Sequence, residues 1–331
     1  MSGLPLLVAR GESIPEAWEN SVLELHRNGQ WYKRDDPEDN DLQLDASMAI
    51  EIQNPDADLF LHKSVTCGFE DLFDYMMELH GARDSLIKDL DNPEDHKWDY
   101  LYSERLNFYP TSNGSIDQIE KMVEKLSARP FTRRANSTLW VPERDAEAKD
   151  TPCLQRIGFL ITPDGKEKGL NRLNMTYNFR TRNVMIAAPM NIIGFYSLMC
   201  GVRDKVRKNT GMNLENGRML DVTDTYHVSS RDQKILNGFV ERHEVSRKKG
   251  EGIESRAYTK DFALNYMSGI RQERTDGIIS QLENTFQNRI NAVSDSTKKD
   301  AYNERLESEK IKVKALSSYL GEKIDRGFKS I

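Results

Sequence analysis

The sequence predicts a protein of the α+β class, in which helices and strands fall mainly in different parts of the chain. Helical spacing of apolar residues prevails before residue 130, strand-like alternation prevails in the middle, and helical periods return after residue 246. The chain has 331 residues, of which 37% are hydrophobic and 8% are aromatic. This content is sufficient for one large packed core.

The first part of the chain combines helical periods with one strand. Apolar residues recur at helical spacing over residues 14–28, 68–79 and 115–128. Ser115 is the predicted N-cap of the third helix. Residues 42–53 alternate imperfectly between apolar and polar side chains, which predicts a strand.

The middle of the chain is rich in strand signals. Residues 137–141, 155–162 and 173–180 are predicted strands, and the Pro-Asp-Gly turn at 163–165 joins the last two. Apolar residues return to helical spacing over residues 191–206, which predicts a helix.

The composition changes at about residue 246, after which charged residues dominate and aromatic residues become few. Helical periods over residues 276–293 and 298–327 predict two long helices. We therefore expect a catalytic domain over residues 1–245 and a charged helical extension over residues 246–331. The extension would either pack on the core or project as an arm similar to a coiled coil.

Charge and cysteine usage narrow the class of protein. The formal net charge of −6 argues against extensive nucleic-acid binding, which usually needs a basic face. Three cysteines without metal-ligand spacing predict a reducing compartment and no metal site. No signal peptide or membrane-spanning stretch is recognisable in the sequence, so we expect a soluble cytoplasmic protein.

Cys153 is a candidate nucleophile because of the polar residues that surround it in the sequence. An isolated cysteine is more often a small buried apolar residue. Here Arg133 and Arg134 precede it, and Arg180 and Thr181 follow it. Nearby guanidinium groups favour the thiolate, so we expect them to lower the pKa of the thiol. Arginines also match phosphate oxygens, although each one alone could be a surface ion-pair partner.

Further candidate binding residues lie downstream. Asn191 follows a proline where a helix is predicted to open, so capping is its simplest role. Its carboxamide also offers a donor and an acceptor that match the N3–H and O4 edge of uracil. His227, with Asp224 and Tyr226 beside it, could bind sugar hydroxyls or order water, or could be a structural histidine.

These motifs resemble those of the thymidylate synthase superfamily, which includes pyrimidine-nucleotide hydroxymethylases. The family's arginine pair, tryptophan and Pro-Cys dipeptide are similar to residues 133–134, Trp140 and 152–153. Arg180 and Asn191 are eleven residues apart, as are the corresponding family residues. The segment from Tyr102 to the Ile-Asp-Gln-Ile sequence at 116–119 looks like the family's active-site tyrosine and the helix after it. The resemblance covers roughly residues 65–235.

The resemblance implies a large, mostly antiparallel sheet flanked by helices, in a homodimer formed through the sheet face. It also implies that Cys153 adds to C6 of a pyrimidine nucleotide, with Tyr102 close by. C5 would then attack the methylene group of 5,10-methylenetetrahydrofolate, so that covalent catalysis divides one difficult step into easier ones. The co-substrate would therefore be a folate.

The resemblance also assigns binding roles to the remaining residues. Arg180 and Thr181 would bind the phosphate, and Asn191 would read the base. Arg133 and Arg134 would reach the phosphate from the partner subunit. The sugar and its water network would be served by three residues, namely Asp224, Tyr226 and His227.

Several positions depart from the family pattern. Asn183 stands where an aspartate usually contacts the folate, and Ser229 stands where a sugar-binding tyrosine is expected. The acid that handles the ring proton corresponds to Asp74, or to Asp71 one turn earlier. The family's closing C-terminal tail is not recognisable.

These departures leave three possible activities. Because Asn191 matches uracil, methylation of dUMP to dTMP is the favoured one. If water reaches the intermediate, the product is instead a hydroxymethyl nucleotide formed from dUMP, CMP or dCMP. The third possibility is a non-catalytic nucleotide-binding or assembly protein on the same scaffold.

Overall fold

The structure is a computed structural model that describes residues 3–34, 41–87 and 98–329. Its strands in chain order are β1 (Leu6–Gly11), β2 (Gln30–Lys33), β3 (Leu42–Ile52), β4 (Leu59–His62), β5 (Tyr109–Thr111), β6 (Gly114–Ile116), β7 (Leu154–Pro163), β8 (Asn171–Asn183), β9 (Leu214–Ser229) and β10 (Ala257–Thr259). Its helices in chain order are α1 (Ile14–Asn28), α2 (Phe69–Leu79), α3 (Tyr102–Asn107), α4 (Gln118–Ala128), α5 (Pro142–Asp145), α6 (Ala187–Thr210), α7 (Gln233–Lys248), α8 (Ile253–Arg256), α9 (Lys260–Ala292) and α10 (Ser296–Asp325).

A central sheet positions the candidate site. Its strands lie in the order β1-β3-β9-β8-β7, with β2 also paired to β3. The pairs β1–β3 and β8–β9 are parallel, whereas β2–β3, β3–β9 and β7–β8 are antiparallel. The mixed sheet flanked by helices agrees with the predicted α+β class.

The alternation of buried and partly exposed side chains along β8 shows which face of the sheet packs against the helices. Leu173, Met175, Tyr177 and Phe179 are buried, while the residues between them are partly exposed. This period of two directs one set of side chains into the core. Helix α6 packs over β8 and β9, and α2 packs in turn against α6. The core therefore lies between the sheet and α6.

The predicted cap at Ser115 is wrong. Ser115 belongs to the short strand β6, and α4 begins at Gln118. The carboxylate of Asp117 accepts the backbone N–H of Glu120 at 2.8 Å, so the cap is two residues later than predicted. Both residue types cap helices well, and the β5–β6 hairpin decides between them.

The predicted strand at residues 137–141 is an extended segment and not a regular strand. The backbone N–H groups of Ser137 and Leu139 donate to the carbonyls of Ile157 and Gln155, both at 2.9 Å. The segment therefore follows the edge of β7. Pairing ends soon after, because α5 begins with Pro142.

Helix α6 begins at Ala187, four residues before Asn191, so the predicted capping role of Asn191 is wrong. Pro189 lies in the first turn of the helix, where its missing N–H would have had no intrahelical partner. The proline is therefore compatible with the earlier start.

The C-terminal helices pack on the rest of the chain. Strand β10 pairs with β4, α9 packs against α2, and α10 packs along α9. The aromatic ring of Phe328 lies 5.5 Å from the ring of Tyr196 in α6. The division into domains at residue 245 stays a prediction. Across the described part of the chain, no helix is long and apolar enough to cross a membrane.

Candidate active site

The loop that carries Cys153 is held by Arg180. Cys153 lies immediately before β7, and its carbonyl accepts the backbone N–H of Arg180 at 2.9 Å. The guanidinium of Arg180 donates to the carbonyls of Thr151 at 2.8 Å and Pro152 at 3.3 Å. Arg180 therefore ties the loop to β8 and lies close to the sulfur.

The electrostatic surroundings of Cys153 differ from the sequence-based expectation. Burial raises the pKa of its thiol, and the positive charge of Arg180 and a hydrogen bond from Tyr102 only partly offset this. The negative charge of Asp150 raises the pKa further. The expectation of a lowered pKa was wrong because burial penalises the thiolate more than one nearby guanidinium favours it.

Two tyrosines pack against the Cys153 loop. The hydroxyl of Tyr100 donates to the carbonyl of Thr151 at 3.1 Å. The ring of Tyr102, in the first turn of α3, lies 6.2 Å from the ring of Phe179. Burial, and next the charge of Cys153, raise the pKa of Tyr102 well above its usual value. Tyr102 is therefore a neutral phenol that can donate a hydrogen bond towards the sulfur.

Asn191 is fixed by a tyrosine from another helix. It is 5% exposed, and its Nδ2 donates to the hydroxyl of Tyr75 in α2 at 2.7 Å. The ring of Tyr75 lies against Gly194, where an added Cβ would be 2.6 Å from Cε1 of that ring. The close approach of α2 and α6 therefore holds the amide of Asn191 in one orientation.

A buried ion pair lies beneath the phosphate-binding candidates. The side chains of Arg182 and Asp221 are 1% and 0% exposed and form an ion pair across the parallel strands β8 and β9. The guanidinium carbon of Arg182 lies 4.5 Å from the ring centroid of Phe179 and 5.4 Å from that of Tyr226. The pair joins the two strands that carry Arg180 and His227.

Thr181 and His227 meet at the same end of the sheet. The distance between Oγ1 of Thr181 and Nδ1 of His227 is 3.3 Å. Asp45 of β3 lies opposite His227 in the strand register, and its carboxylate accepts the hydroxyl of Tyr32 at 2.8 Å. Strands β2, β3, β8 and β9 therefore each contribute a polar side chain at this end of the sheet.

Four of the candidate binding residues make no described contact with Cys153 or Arg180. Arg133 and Arg134 are exposed in the segment before β7, and Asp224 is exposed on β9. Tyr226 is buried, and its hydroxyl lies 2.9 Å from that of Ser21 in α1. Its side chain is therefore part of the core packing.

Asn183 shapes the start of α6. Its Oδ1 accepts the backbone N–H groups of Met185 at 2.9 Å and Ile186 at 3.0 Å. Its Nδ2 donates to the carboxylate of Asp232 at 2.9 Å. In this arrangement, Asn183 joins the end of β8 to the helix that carries Asn191.

Asp74 lines a cavity of about 510 Å³ between α2 and the start of α6. Its carboxylate accepts hydrogen bonds from Arg83 at 2.9 Å and from Arg274 of α9 at 2.9 and 2.5 Å. Asp71, the alternative to Asp74, is exposed and accepts the backbone N–H of Gly68 at 2.9 Å.

Sequence reasoning missed several residues that form this site. They are Tyr75, Glu78, Tyr100, Asp221 and Arg274. Tyr75 and Glu78 share a helix face with Asp74, and that spacing was the available signal. Nothing in the local sequence marks Arg274, which reaches Asp74 from 200 positions later in the chain.

The fold and these contacts define an α+β protein with a site centred on a cysteine, an arginine and a buried asparagine. A family model described as thymidylate synthase matches residues 71–267, more than half of the chain. The matched range includes Cys153, Arg180 and Asn191. The chain therefore belongs to the thymidylate synthase family.

Relatives in three organisms carry the provisional name of thymidylate synthase. The protein of Methanosarcina barkeri is 25% identical over 233 residues, which cover 70% of this chain and 94% of the relative. The protein of Methanosarcina acetivorans is 26% identical with the same coverage. The protein of Methanocaldococcus jannaschii is 36% identical over 104 residues, covering 30% of this chain and 44% of the relative. Together with the family, these names support an enzyme of the thymidylate synthase type.

Proposed function

We propose that this protein transfers a one-carbon unit from 5,10-methylenetetrahydrofolate to C5 of dUMP. The observation that carries the proposal is the placement of Cys153 beside Arg180 and Tyr102, with Asn191 held through Tyr75. Tyr75 and Tyr102 are close enough for Tyr75 to raise the pKa of Tyr102, so the thiol and the amide belong to one region.

The amide of Asn191 supports uracil as the base. Because Nδ2 donates to Tyr75, Oδ1 is the atom left to accept a hydrogen bond from a ligand. The N3 position of uracil is a donor, whereas the same position of cytosine is an acceptor. Oδ1 of Asn191 would therefore favour uracil.

Cys153 would act by covalent catalysis. The thiolate of Cys153 bonds to C6, and the electron pair of the C5–C6 double bond moves towards the O4 carbonyl. The activated C5 then bonds to the methylene carbon as the bond from that carbon to one folate nitrogen breaks. Loss of the C5 proton breaks the bond to the second nitrogen, and a hydride from the folate completes the methyl group as the sulfur leaves C6. Arg180 and Thr181 would bind the phosphate at the end of β8, where a guanidinium favours a dianion.

The cavity beside Asp74 would admit the folate. Its wall combines the apolar side chains of Ile186 and Met190 with the charged groups of Asp74 and Arg83. A flat heterocycle with polar edges suits such a mixed lining. Tyr75 separates this cavity from Asn191, so two ligands could lie side by side.

One observation favours the hydroxymethyl product as a second candidate. The carbonyl of Phe328 accepts a hydrogen bond from Arg203 at 2.9 Å. Arg203 lies twelve residues after Asn191 in α6, or about 18 Å along the helix axis. Residue 328 is therefore fastened far from the base-reading amide, where it would not exclude water from the intermediate.

A nucleotide turnover assay tests the proposal. Purified protein is incubated with dUMP and 5,10-methylenetetrahydrofolate, and the nucleotides are analysed by mass spectrometry. We expect the mass gain of a methyl group, with the second candidate giving that of a hydroxymethyl group. Cys153→Ala is the inactive control. Absence of either product from dUMP, UMP, CMP and dCMP, with nucleotide binding intact, would favour the non-catalytic alternative.

We also propose a homodimer formed through the sheet face opposite the helices. Val8, Ala49 and Val222 are paired in register across this face, and Val8 is 54% exposed. Exposed apolar groups in a row are typical of a protein interface. Arg133 and Arg134 lie beside the edge strand of the same sheet and are exposed.

Mixing two inactive variants tests whether the arginines are shared. Cys153→Ala and Arg134→Ala would be unfolded together, refolded and assayed. If Arg134 acts across the interface, mixed dimers contain one intact site and activity returns. If activity stays absent although mixed dimers form, Arg134 does not act across subunits.

A further inference from the structure

A second cavity lies between α10 and the helices α2, α4 and α6. Its volume is about 380 Å³, and among the described residues none lines both this cavity and the one beside Asp74. Most of its wall is apolar, and these lining residues are Leu79, Phe108, Ile119, Leu198, Leu316 and Tyr319. Pockets for small molecules commonly have apolar walls with a few polar groups and volumes of about 300–1,000 Å³. The cavity is therefore large enough for a small organic ligand.

The space depends on a glycine in the middle of α6. A Cβ added to Gly201 would lie 3.0 Å from the hydroxyl oxygen of Tyr319 and 3.5 Å from Cε1 of His80. A larger residue would therefore crowd the wall or fill the cavity. Glycine inside a helix is less stable than alanine. At Gly201 it leaves room beside His80 and Tyr319.

His80 presents a hydrogen-bond acceptor. The hydroxyl of Ser197 donates its only proton to the carbonyl of Gly194 at 2.7 Å. Nε2 of His80 lies 3.4 Å from the same hydroxyl oxygen, so the imidazole is the donor there and carries its proton on Nε2. Burial, and next the charge of Lys205, lower the pKa of His80 to about 4, so the ring is uncharged at neutral pH. Nδ1 is left as an acceptor without a partner among the described residues.

Tyr319 of α10 supplies a donor in the same wall. Burial, and next the charge of Asp204, raise the pKa of Tyr319 well above its usual value, so the phenol keeps its proton. Within the described part of the chain, the hydroxyl has no hydrogen-bond partner. The ring centroids of Tyr319 and His80 are 5.6 Å apart. One edge of a flat ligand could therefore reach both groups.

The charged groups around the cavity are already paired within the chain. Nζ of Lys205 lies 2.9 Å from the carboxylate of Glu120. Nζ of Lys312 lies 3.5 Å from the carboxylate of Asp84. The carboxylate of Asp117 accepts the backbone N–H of Glu120. Because these charges have partners, the cavity favours an uncharged ligand over an ion.

The cavity also borders the two helices whose contact orients Asn191. Leu79 of α2 lines the cavity, and its Cδ1 would be 2.5 Å from a Cβ added to Gly194 of α6. Tyr75 packs against the same glycine, and its hydroxyl accepts the amide of Asn191. A ligand that fills the cavity would hold Leu79 in place. It would therefore stabilise the arrangement in which Tyr75 orients Asn191.

We propose that this cavity is an effector site for an uncharged, flat heteroaromatic lactam. The ligand N–H donates to Nδ1 of His80, and the ligand carbonyl accepts the hydroxyl of Tyr319. An apolar cavity of about 150 Å³ holds benzene, so this cavity has room for two fused rings. Occupation raises the affinity of the active site for dUMP. This last step rests on the proposed function, whereas binding in the cavity does not.

Calorimetric titration of the full chain with 2-quinolinone tests the site. This bicyclic lactam should bind saturably, and N-methyl-2-quinolinone should bind at least about tenfold more weakly, because it leaves Nδ1 of His80 without a donor. In protein labelled with ¹⁵N-histidine, the Nδ1 signal that is absent from His80→Gln should shift with the lactam alone. Equal affinity for the two compounds, or no saturation up to about 1 mM, would overturn the proposal.

Matched variants locate the bound probe. Tyr319→Phe should weaken 2-quinolinone binding about fivefold, since one neutral hydrogen bond is lost. Tyr266→Phe is the control, because Tyr266 is 42% exposed on α9 and does not line the cavity. Leu316→Trp should weaken binding at least about tenfold by occupying the space, with a thermal midpoint no lower than that of the wild type. Wild-type affinity in both Tyr319→Phe and Leu316→Trp would place the probe elsewhere and refute the site.

Measuring dUMP affinity with and without saturating 2-quinolinone tests the effector role. The probe should tighten dUMP binding at least about fivefold, and dUMP should tighten probe binding by the same factor, because coupling between two sites is reciprocal. If the probe binds and dUMP affinity does not change, the effector role is wrong and the proposed function stands. If the probe binds and dUMP does not, the proposed function and the effector role both fail, and the lactam site remains.

Discussion

Asp221→Asn should lower the free energy of unfolding by about 3–5 kcal/mol, because it leaves the guanidinium of Arg182 buried without a counter-charge. The side chains of Arg182 and Asp221 are 1% and 0% exposed, so solvent cannot replace the lost partner. The rings of Phe179 and Tyr226 lie 4.5 and 5.4 Å from the guanidinium carbon, and they compensate for only a small part of the charge.

Urea unfolding followed by circular dichroism measures this loss. With a slope of roughly 3 kcal/mol per molar for a chain of this size, the midpoint should fall by about 1–1.7 M. Asp276→Asn is the matched control, because Asp276 is exposed and accepts hydrogen bonds only from the side chain of Gln272 among its described contacts. The control should leave the midpoint unchanged.

A double variant separates the loss of the Arg182–Asp221 ion pair from the cost of leaving the buried guanidinium of Arg182 without a counter-charge. Combining Asp221→Asn with Arg182→Met removes the stranded charge and should restore much of the lost stability. A loss below about 1 kcal/mol for Asp221→Asn would refute the reasoning, because breaking a buried ion pair ordinarily costs several times more. A double variant no more stable than the single variant would refute it as well.

Three further predictions concern packing and pH. Gly194→Ala should lower stability by about 1–2 kcal/mol, because its Cβ would lie 2.6 Å from Cε1 of Tyr75 and overpacking outweighs the gain in helix propensity. Gly269→Ala, where no atom lies within 4 Å of the added Cβ, should instead raise the thermal midpoint. Burial raises the pKa of Glu19, but hydrogen bonds from its partners lower it from 4.5 to about 2. The resulting stabilisation, about 3 kcal/mol, is present above pH 4.5 and is lost as the pH falls towards 2. Arg256→Met should reduce this pH dependence in urea titrations, and an unchanged dependence would contradict the assigned pair.

The local pattern of the sequence predicted six of the ten helices and three of the ten strands in the described part of the chain. The helix at residues 14–28 agrees with α1, and the strand at 42–53 agrees with β3 to within one residue. Some errors fell at boundaries, and some elements, such as β1 and the long strand β9, were not predicted at all. Ser115 and Asp117 are both good caps, and only the β5–β6 hairpin excludes Ser115 from the helix.

The candidate site was predictable where its residues are close in sequence. Cys153, Arg180, Thr181 and Asn191 fall within about forty residues. Arg180 contacts the loop that carries Cys153, and Asn191 contacts Tyr75 of α2. The raised pKa of Cys153 was not predictable, because burial depends on packing by distant segments.

Taken by itself, the sequence determined the longer helices, the strands β3, β7 and β8, and the spacing of the cysteine, arginine and asparagine motifs. These features depend on the periodicity of neighbouring residues, which is visible in any short window. Only the tertiary structure decided that Tyr75 holds Asn191 across 116 positions and that Arg274 binds Asp74 across 200. Such contacts depend on strand register and helix packing, and many arginines or tyrosines in the chain would fit equally well by residue type alone.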